Sequence, residues 1–407
     1  MIGDSSPLHG LRVLEIGHFV AAPFATRLMA DLGADVIKIE PLTGDPVRQW
    51  GDQIDGKSLW WSLHGRNKRS VACNLKDPRV RDLILRLVRE CDAVVENFRP
   101  GQLVKLGLGP DVLRRERPDL IIAHISGYGQ TGPYRDRAAF GVIGEAIGGL
   151  RHLTDQPPGV SDLPPVRVGV SIGDSLAGLY AAFGLVSALW QRDRSGGDGR
   201  PRTIDIALTE SVLSLMEGML PEYGKLGKIR QPTGGGIATA APTNAYPSAD
   251  GGFVLIAANS EPLFAKLMHL IGRADLVGVP RFTGNQKRVE HSGELDQLIA
   301  NWSRQHDRET LIGLLNEADI PSSLVYTAAD IAADPQYRDR GMVIDVHDEQ
   351  FDGSILHPGV VPRCGAEPAA IRWAGPAIGA HTDEVLQGLL AMSGEEISEL
   401  RVQGAIS

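Results

Sequence analysis

Residues 11–39 read LRVLEIGHFVAAPFATRLMADLGADVIKI, and the pattern of these residues indicates the fold class. Residues 11–16 form a short apolar run, and residues 23–32 carry apolar side chains at helical spacing before a stop at Gly33. Residues 34–39 then form a second apolar run that is typical of a buried strand. A strand, a helix and a strand at this spacing predict a βαβ unit with parallel strands.

The same alternation continues further along the chain. Asp77 and Pro78 suit the N-cap and the first turn of a helix. The elements predicted after them are helix 78–91, strand 93–95, helix 112–117, strand 120–125, helix 175–190, strand 204–206 and helix 208–219. The sequence therefore predicts an α/β fold with a large, doubly wound parallel sheet.

A change in composition marks a second domain. Residues 223–241 are rich in glycine, and a smaller α+β pattern of one strand and three helices follows them. We therefore expect residues 1–222 to form the first part of the large domain and residues 223–327 to form the small one. Residues 328–407 are expected to return to the large domain, and they end in a helix at 393–403.

Composition excludes several classes of function. The 407 residues carry a formal charge of -9, which disfavours non-specific binding of nucleic acid or of an anionic membrane. Cys73, Cys91 and Cys364 are too few for a disulfide framework or a cysteine-rich zinc site. The first residues lack the pattern of a signal peptide, and no uncharged apolar run is long enough to cross a bilayer. We expect a cytoplasmic protein without nucleic-acid or membrane partners.

The first candidate for chemistry is Asp174, in the segment GVSIGDS at 169–175. This aspartate precedes the long apolar helix, where helix N–H groups and the positive end of the macrodipole favour an ionised carboxylate. One interpretation is an ordinary N-cap, and the other is a carboxylate nucleophile presented on a turn flanked by glycine. The local pattern alone does not decide between them.

The second candidate is the segment VENFRPG at 95–101, which follows a buried strand. Ligands of open α/β sheets bind beyond the carboxyl ends of strands. In a binding loop, Asn97 would bond a heterocycle, Phe98 would stack on it and Arg99 would meet a phosphate. The alternative is a polar turn closed by Pro-Gly.

Gly234, Gly235 and Gly236 form a third candidate. Consecutive glycines let backbone N–H groups approach an anion, and they also form simple linkers. No Lys-Ser/Thr pair follows them, so they are not a Walker A loop. The chain also lacks the dinucleotide fingerprint after its first strand, a Gly-x-Ser-x-Gly elbow and a His-Glu-x-x-His zinc motif.

Basic residues cluster in two places. Arg66, Lys68 and Arg69 lie together, and so do Arg135 and Arg137. In an acidic chain these clusters are candidates to hold a polyphosphate tail, although solvated surface is the usual explanation for such clusters.

These segments occur in an order that resembles the family III CoA-transferases, the group that also contains the α-methylacyl-CoA racemases. The resemblance runs from about residue 8 to the C-terminus, and any one motif alone is weak. The matching segments are LRVLEIG (11–17), AP (22–23), LGADVIKIE (32–40), NKRS (67–70), ENFRPG (96–101), GYGQTGP (127–133), GD (173–174), the three glycines, DIP (319–321), DP (334–335) and GAHT (379–382).

The resemblance implies a large doubly wound domain built from both termini, a small domain inserted between them, and a homodimer of two interlocked rings. It identifies Asp174 as the catalytic aspartate and Gly234–Gly236 as an oxyanion or lid loop that closes over the active site. It implies no metal and no permanently bound cofactor, because a coenzyme A thioester is the substrate. The residues expected to contact coenzyme A are Val20, Asn97, Phe98, Arg99, Arg69, Lys105 and Arg137.

Two departures from the family pattern limit what is carried over. The loop reads Gly-Gly-Gly-Ile and not the four-glycine-plus-Gln form of the formyl-CoA transferases, which argues against oxalate or formate chemistry. Pro41 stands where some members have an arginine, so adenine stacking at that position is not expected.

The resemblance also implies a reaction. Asp174 would attack the donor thioester, and CoA would pass through a mixed anhydride and an aspartyl-CoA thioester to an acceptor acid. Residues 140–150 and 165–174 look most like members that use succinyl-CoA with itaconate, citramalate, mesaconate, malate or glutarate. A dicarboxylate needs a cation for its far carboxylate, and Arg48, Arg137 and Arg167 are the candidates.

Two alternatives stay open. Racemases of the family use a histidine shortly before the catalytic aspartate, and the matching segment here, residues 137–145, contains none. This difference favours a transferase over a racemase. A non-catalytic CoA-binding subunit on the same scaffold is the second alternative, and the presence of Asp174 argues against it.

Overall fold

The computed structural model describes residues 6–196, 202–365 and 369–407. The chain forms two units: one comprises Met1–Leu150, Val168–Met216 and Asp334–Ser407, and the other comprises Arg151–Arg167 and Glu217–Ala333. The expected boundaries lay after residues 222 and 327. The observed divisions differ from them by six residues each, and 151–167, expected in the large domain, falls in the second unit.

The strands of the described residues are short and lie in four sheets. In chain order they are β1 (Arg12–Glu15), β2 (Asp35–Glu40), β3 (Gln53–Ile54), β4 (Lys57–Ser58), β5 (Lys68–Ala72), β6 (Ala93–Glu96), β7 (Ile121–Ser126), β8 (Arg202–Ala207), β9 (Thr243–Pro247), β10 (Phe253–Ala257), β11 (Ser322–Leu324), β12 (Val343–His347) and β13 (Ser354–Pro358).

Helices connect these strands and cover the sheets. In chain order they are α1 (Ala21–Asp31), α2 (Leu59–His64), α3 (Pro78–Arg89), α4 (Gln102–Lys105), α5 (Pro110–Glu116), α6 (Gly141–Ile147), α7 (Leu150–Leu153), α8 (Ile172–Arg194), α9 (Leu208–Leu213), α10 (Met219–Leu226), α11 (Glu261–Leu270), α12 (Asn285–Glu290), α13 (Ser292–Ser303), α14 (Arg308–Glu317), α15 (Ala328–Ala333), α16 (Pro335–Asp339), α17 (Thr382–Leu390) and α18 (Gly394–Val402).

The first unit is built on a six-stranded sheet in the order β5-β2-β1-β6-β7-β8, and every neighbouring pair is parallel. The predicted α/β fold with a large parallel sheet is confirmed. From β1 the chain winds first toward β5 and then, through β6, toward β8. The strand order therefore reverses between β1 and β6, and such a switch point opens a crevice at the carboxyl ends of the strands.

Apolar side chains cover both faces of this sheet. One face packs on α1 and α8, and Gly178 lets the two helices approach closely, because a β-carbon there would lie 2.6 Å from the carbonyl oxygen of Ala21. The other face packs on α3, α5, α17 and α18, which contribute Leu83, Leu113, Leu386 and Ile397. Residues from the end of the chain thus complete a core that the first strands begin.

The second unit has its own core. A three-stranded antiparallel sheet, in the order β11-β10-β9, packs against α11, α13 and α14 through apolar side chains that include Phe264, Ile299 and Leu311. The buried Tyr246 hydroxyl donates to Asp296 Oδ1 at 2.6 Å. Because this hydrogen bond satisfies the hydroxyl group, the tyrosine can be buried in the core without an unpaired polar atom.

One predicted helix is divided in the structure. Residues 208–219, expected as one helix, form α9 and the start of α10, with Ser214 as the C-cap of α9. Glu217 in the connection has a φ of 46°, which helical residues do not adopt. Both pieces carry apolar residues at helical spacing, so the sequence pattern does not reveal the break between them.

Among the described residues, one helix, α8, has the length and apolar composition that a membrane span requires. Its buried face packs on α1 and on the parallel sheet, which is the packing of a core helix. Its opposite face exposes Leu179, Phe183, Val186 and Trp190 at helical spacing.

Candidate active site

A pocket of about 80 Å³ lies where β1, β6 and β7 end, at the switch point of the sheet. The loops that follow these strands form its walls, and the first turns of α6 and α8 close it. The residues lining it include His18, Phe19, Asn97, Phe98, Arg99, Ser126, Gly127, Arg137, Phe140 and Asp174. Every one of them belongs to the first unit.

Asp174 lines this pocket from the first turn of α8. The helix begins at Ile172 with Ser171 as its N-cap, so Asp174 is the third helical residue and not the N-cap itself. The expected helix start at residue 175 is therefore wrong by three residues. The carboxylate still lies beside the positive end of a 23-residue helix, where negative charge is favoured.

Gly141 makes room for the Asp174 carboxylate. A β-carbon built on Gly141, the first residue of α6, would lie 2.1 Å from Asp174 Oδ2 and 2.7 Å from its Cγ. Gly173 is also constrained, because a β-carbon there would lie 2.8 Å from the Gly141 carbonyl oxygen. The two glycines let α6 and α8 meet backbone to backbone, and the nucleophile candidate lies at their junction.

Asn97 fixes the loop that contains His18, which forms another wall of the pocket. Its Oδ1 accepts from the His18 amide at 2.9 Å, and its Nδ2 donates to the His18 carbonyl at 2.8 Å. Asn97 was predicted to contact coenzyme A directly. In the structure both ends of its amide are bonded to the backbone of His18, which fixes the loop beside Phe98.

A buried ionic network also holds the loop that contains His18 and Phe19. Lys38 Nζ, fully buried, lies 2.6 Å from Glu15 Oε1 and 2.7 Å from Asp45 Oδ2, and it donates to the Gly17 carbonyl at 2.9 Å. Asp45 Oδ1 accepts from the Phe19 amide at 3.1 Å. Burial alone would raise the pKa of Glu15, but the neighbouring lysines lower it to about 2. These charges fix Phe19, whose φ of 62° is strained for a non-glycine residue.

Two residues of the first basic cluster are internal. Arg66 Nη2 lies 2.7 Å from Asp31 Oδ2, and Lys68 Nζ lies 2.8 Å from Glu15 Oε2. Both side chains are 1% exposed. The prediction that they bind phosphate is wrong, because their charges neutralise buried carboxylates.

Arg69, another predicted contact of coenzyme A, does not line the pocket. Its Nη2 lies 2.5 Å from Asp35 Oδ2, at the amino end of β2, and its Nη1 lies 3.3 Å from Glu384. The pocket lies at the opposite, carboxyl end of the sheet. Lys105 is exposed in the last turn of α4 and does not line the pocket, so its contact with coenzyme A stays a prediction.

Val20 does not present its side chain to the pocket. It is the N-cap of α1, and its side chain is buried. The same loop turns His18 and Phe19 toward the pocket, and the His18 ring lies 5.0 Å from that of Phe19 and 5.4 Å from that of Phe98. Sequence analysis missed His18, because a lone histidine after a strand carries no distinctive signal.

Two arginines line the pocket and are exposed. Arg99 follows Phe98, and Arg137 stacks on Tyr134 with its guanidinium carbon 3.5 Å from the ring centroid. Of the three arginines proposed for the far carboxylate, Arg48 is excluded. Its Nη2 lies 2.7 Å from Glu40 Oε1, and its guanidinium carbon lies 3.7 Å from the Trp61 ring centroid.

The third of these arginines, Arg167, belongs to the second unit. The three glycines also lie in that unit. The Gly234 amide donates to the Asp155 carbonyl at 3.1 Å, and the Gly236 amide donates to the Thr233 carbonyl at 3.4 Å. Two amide groups of the predicted oxyanion loop therefore already donate hydrogen bonds, one within the loop and one to Asp155. The role of these glycines at the active site stays a prediction.

A serine, a histidine and an aspartate also meet elsewhere. Ser62 Oγ lies 2.5 Å from Asp348 Oδ2 and 2.9 Å from His357 Nε2, but all three side chains are buried. These contacts fasten the β12–β13 hairpin to α2. Within the described residues, no group of three or more His, Cys, Asp or Glu side chains is arranged to hold a metal ion.

Comparisons with known proteins agree on one family. A sequence model of CoA-transferase family III matches residues 8–382. A succinyl-CoA–D-citramalate CoA-transferase of Chloroflexus aurantiacus is 44% identical over 402 residues, which cover 98% of each chain. The succinyl-CoA–L-malate CoA-transferase beta subunit of the same organism is 35% identical and covers 98% of each chain.

A solved structure agrees with them. The crystal structure of a CAIB/BAIF family protein from Brucella suis superposes with a TM-score of 0.81 at 32% identity, over 94% of this chain and 99% of the other.

Proposed function

Because this chain belongs to CoA-transferase family III, we propose that it moves coenzyme A from succinyl-CoA to a dicarboxylic acid, with citramalate as the first acceptor to test. The chain is a CoA-transferase. The observation that carries the proposal is the Asp174 carboxylate, which lines a small pocket at the sheet's switch point and is seated against Gly141.

The proposed reaction begins at this carboxylate. An Asp174 oxygen attacks the thioester carbonyl of succinyl-CoA, the C–S bond breaks, and CoA thiolate leaves a mixed succinyl–aspartyl anhydride. The thiolate then attacks the aspartyl carbonyl, the C–O bond to the succinyl group breaks, and succinate is released. Asp174 now carries coenzyme A as an aspartyl thioester.

The second half repeats these steps in reverse order. A carboxylate of the acceptor attacks the aspartyl thioester and expels the thiolate, which gives a new mixed anhydride. The thiolate then attacks the acceptor's carbonyl carbon, and the Asp174 carboxylate is regenerated. Each step places negative charge on a carbonyl oxygen, so hydrogen-bond donors beside Asp174 lower the barrier.

The position of Asp174 indicates which part of the substrate enters the pocket. Its carboxylate lines the pocket and is the nucleophile of the proposed reaction, so the carbonyl group that it attacks must lie beside it. We therefore assign the pocket to the reacting acyl end. Phe98, Arg99 and Arg137 border it, and we propose that they contact coenzyme A or the far carboxylate of the acid.

The racemase alternative lacks the histidine that racemases of the family have shortly before the catalytic aspartate. A racemase needs acid and base groups on both faces of the α-carbon. Segment 137–145 contains no histidine, and Gly141 within it touches the Asp174 carboxylate. A side chain at that position would collide with the aspartate before it could serve as a base.

We also propose that the enzyme is a homodimer and works in the cytoplasm. Leu179, Phe183, Val186 and Trp190 form an exposed apolar stripe along α8, and a second copy of the chain would cover it. Cys73, Cys91 and Cys364 are all unpaired, as expected in a reducing compartment.

A panel of acceptor acids with succinyl-CoA as the donor tests the function. Wild-type enzyme is incubated with succinyl-CoA and with citramalate, itaconate, mesaconate, malate or glutarate, and the new CoA thioesters are measured by mass spectrometry. We expect transfer to citramalate to be fastest. Transfer to none of these acids, with α-proton exchange of a 2-methylacyl-CoA instead, would assign the chain to the racemases.

A further inference from the structure

The hydroxyl of Ser126 is buried in the active-site pocket without an internal partner. Ser126 is the last residue of β7, it is 7% exposed, and it lines the same pocket as Asp174. Among the described residues, no atom lies within hydrogen-bonding reach of its Oγ in suitable geometry. A buried hydroxyl gives up its bonds to water on folding, so an unpaired one indicates a partner that arrives later.

Two nearby polar side chains, in contrast, have hydrogen-bond partners within the protein. Glu96, at the end of the neighbouring strand, contacts His124 Nδ1 and accepts from the Phe98 amide at 2.7 Å. Asn97 is bonded at both ends to the backbone of His18. Asn97 lines the pocket and Glu96 holds the backbone of Phe98 beside it, whereas the Ser126 hydroxyl is left for whatever enters the pocket.

The backbone of Ser126 is held in place by the sheet. Ser126 pairs with Ala207 of β8, and the side chain one residue earlier, Ile125, is buried in the core. A donor on a paired strand is positioned before substrate binds, and this preorganisation gives such donors their catalytic effect. The amide of a flexible loop would first have to be ordered.

We propose that Ser126 Oγ donates a hydrogen bond to the oxygen of the acyl group that Asp174 attacks. When the carboxylate adds to the carbonyl carbon, the C=O bond becomes C–O⁻, and the Ser126 hydroxyl stabilises this charge without giving up its proton. The inference rests on the proposed function, because it needs an acyl group in the pocket. It adds a second catalytic residue, supplied by β7, to the nucleophile supplied by α8.

The test compares Ser126→Ala with wild type in transfer from succinyl-CoA to citramalate. We expect kcat to fall roughly 10- to 1,000-fold, as for other single oxyanion donors. We expect the affinity for free CoA to stay unchanged, since free CoA has no acyl oxygen. The melting temperature should stay equal or rise, because no internal hydrogen bond is lost. Ser126→Cys, which keeps the size but donates weakly, should be similarly slow.

A matched control separates this role from a structural one. Ser303 is buried in the second unit, and its Oγ donates to the Pro247 carbonyl at 2.7 Å. Ser303→Ala should lower the melting temperature and leave kcat unchanged. A Ser126→Ala enzyme with wild-type kcat and KM would overturn the role of Ser126, as would a lower melting temperature with unchanged kcat.

The nucleophile and the proposed function are tested separately, with Asp174→Ala and with the panel of acceptor acids. An inactive Asp174→Ala enzyme beside a fully active Ser126→Ala enzyme would reject only the serine. An Asp174→Ala enzyme with wild-type transfer would reject Asp174 as the nucleophile, and a wild-type enzyme that transfers CoA to none of the acids would reject the proposed function itself.

Discussion

Gly141 and Asp174 occupy adjoining space so closely that only a hydrogen atom fits between them. A β-carbon on Gly141 would lie 2.1 Å from Asp174 Oδ2, well inside van der Waals contact. The Asp174 amide nitrogen would lie 3.2 Å from the same β-carbon, so the backbone as well as the side chain would have to shift. The geometry of the nucleophile candidate therefore depends on a residue that has no side chain.

Gly141→Ala is expected to disable transfer while the protein stays folded. The added methyl group must push the Asp174 carboxylate out of place, and a displacement of about 1 Å can cost roughly 100-fold in rate. Initial rates with succinyl-CoA, together with a circular dichroism spectrum, check this. The control is Gly388→Ala in α17, where nothing lies within 4 Å of the new methyl group. A Gly141→Ala enzyme as fast as this control would contradict the prediction.

Asp174 is expected to become covalently modified during turnover. Incubation with succinyl-CoA followed by hydroxylamine or borohydride should change the mass of the peptide that contains Asp174, because both reagents attack an acyl-activated carboxylate. Asp174→Asn should show no such change and should lose at least about 1,000-fold in kcat, as other enzymes do without their nucleophile. Modification of any other carboxylate in place of Asp174 would move the nucleophile elsewhere.

Asn97 is expected to act by holding His18 and not only by touching substrate. Asn97→Ala removes two hydrogen bonds to the backbone of His18, so the free energy of unfolding should fall by about 1–3 kcal/mol. Transfer should slow at the same time, because the wall of the pocket loosens. Urea unfolding and steady-state kinetics measure the two effects. If Asn97 only binds coenzyme A, CoA affinity will fall and stability will not.

Glu15→Gln is expected to be strongly destabilising. The carboxylate of Glu15 is fully buried between Lys38 and Lys68, so its removal leaves two buried ammonium groups with too little negative charge. Breaking such a pair from one side costs about 3–5 kcal/mol, which urea unfolding would detect. The exposed pair of Lys287 and Glu290 is the comparison, and Glu290→Gln should cost less than about 1 kcal/mol. Equal effects would show that burial does not matter.

His357 is expected to make the protein less stable in mild acid. Burial, with Arg66 and Arg27 nearby, lowers its pKa to about 4 from an ordinary value of 6.5. Between these values the unfolded chain binds a proton that the folded chain does not, so the free energy of unfolding falls as pH drops from 6.5 to 4. The loss should be roughly 1–3 kcal/mol.

Unfolding at several pH values isolates this histidine. His357→Gln should show a shallower fall than wild type over that range, although His64 will leave part of the slope, since burial lowers its pKa to about 3. His347→Gln, at an exposed position of the same hairpin, should keep the wild-type slope. Parallel curves for all three proteins would contradict the assignment to His357.

Local sequence patterns predicted the elements well where local physics decides them. The Asp77 side chain accepts from the Arg79 amide and caps α3, as its position before Pro78 predicted. Ser393 and Glu396 form a capping box at the start of α18, within one residue of the expected helix start. Caps and apolar periodicity act over a few residues, so they can be recognised in the sequence itself.

The partners of charged residues could not be predicted in the same way. Arg66 and Lys68 resembled a phosphate-binding cluster, but Asp31 and Glu15, which neutralise them, lie 35 and 53 residues away. Ion pairs at such distances depend on which strands become neighbours. Gly141 was missed for a similar reason, because its importance comes entirely from Asp174, on another helix.

The unit that contains the active site is assembled from three separate stretches of chain, Met1–Leu150, Val168–Met216 and Asp334–Ser407. Val385, Ile397 and Ile406 complete an apolar layer that also contains Leu14 and Ile37. During synthesis, one apolar face of the early strands therefore stays uncovered until α17 and α18 have been made. We infer that chains truncated before α17 are the species most exposed to aggregation and to chaperone capture.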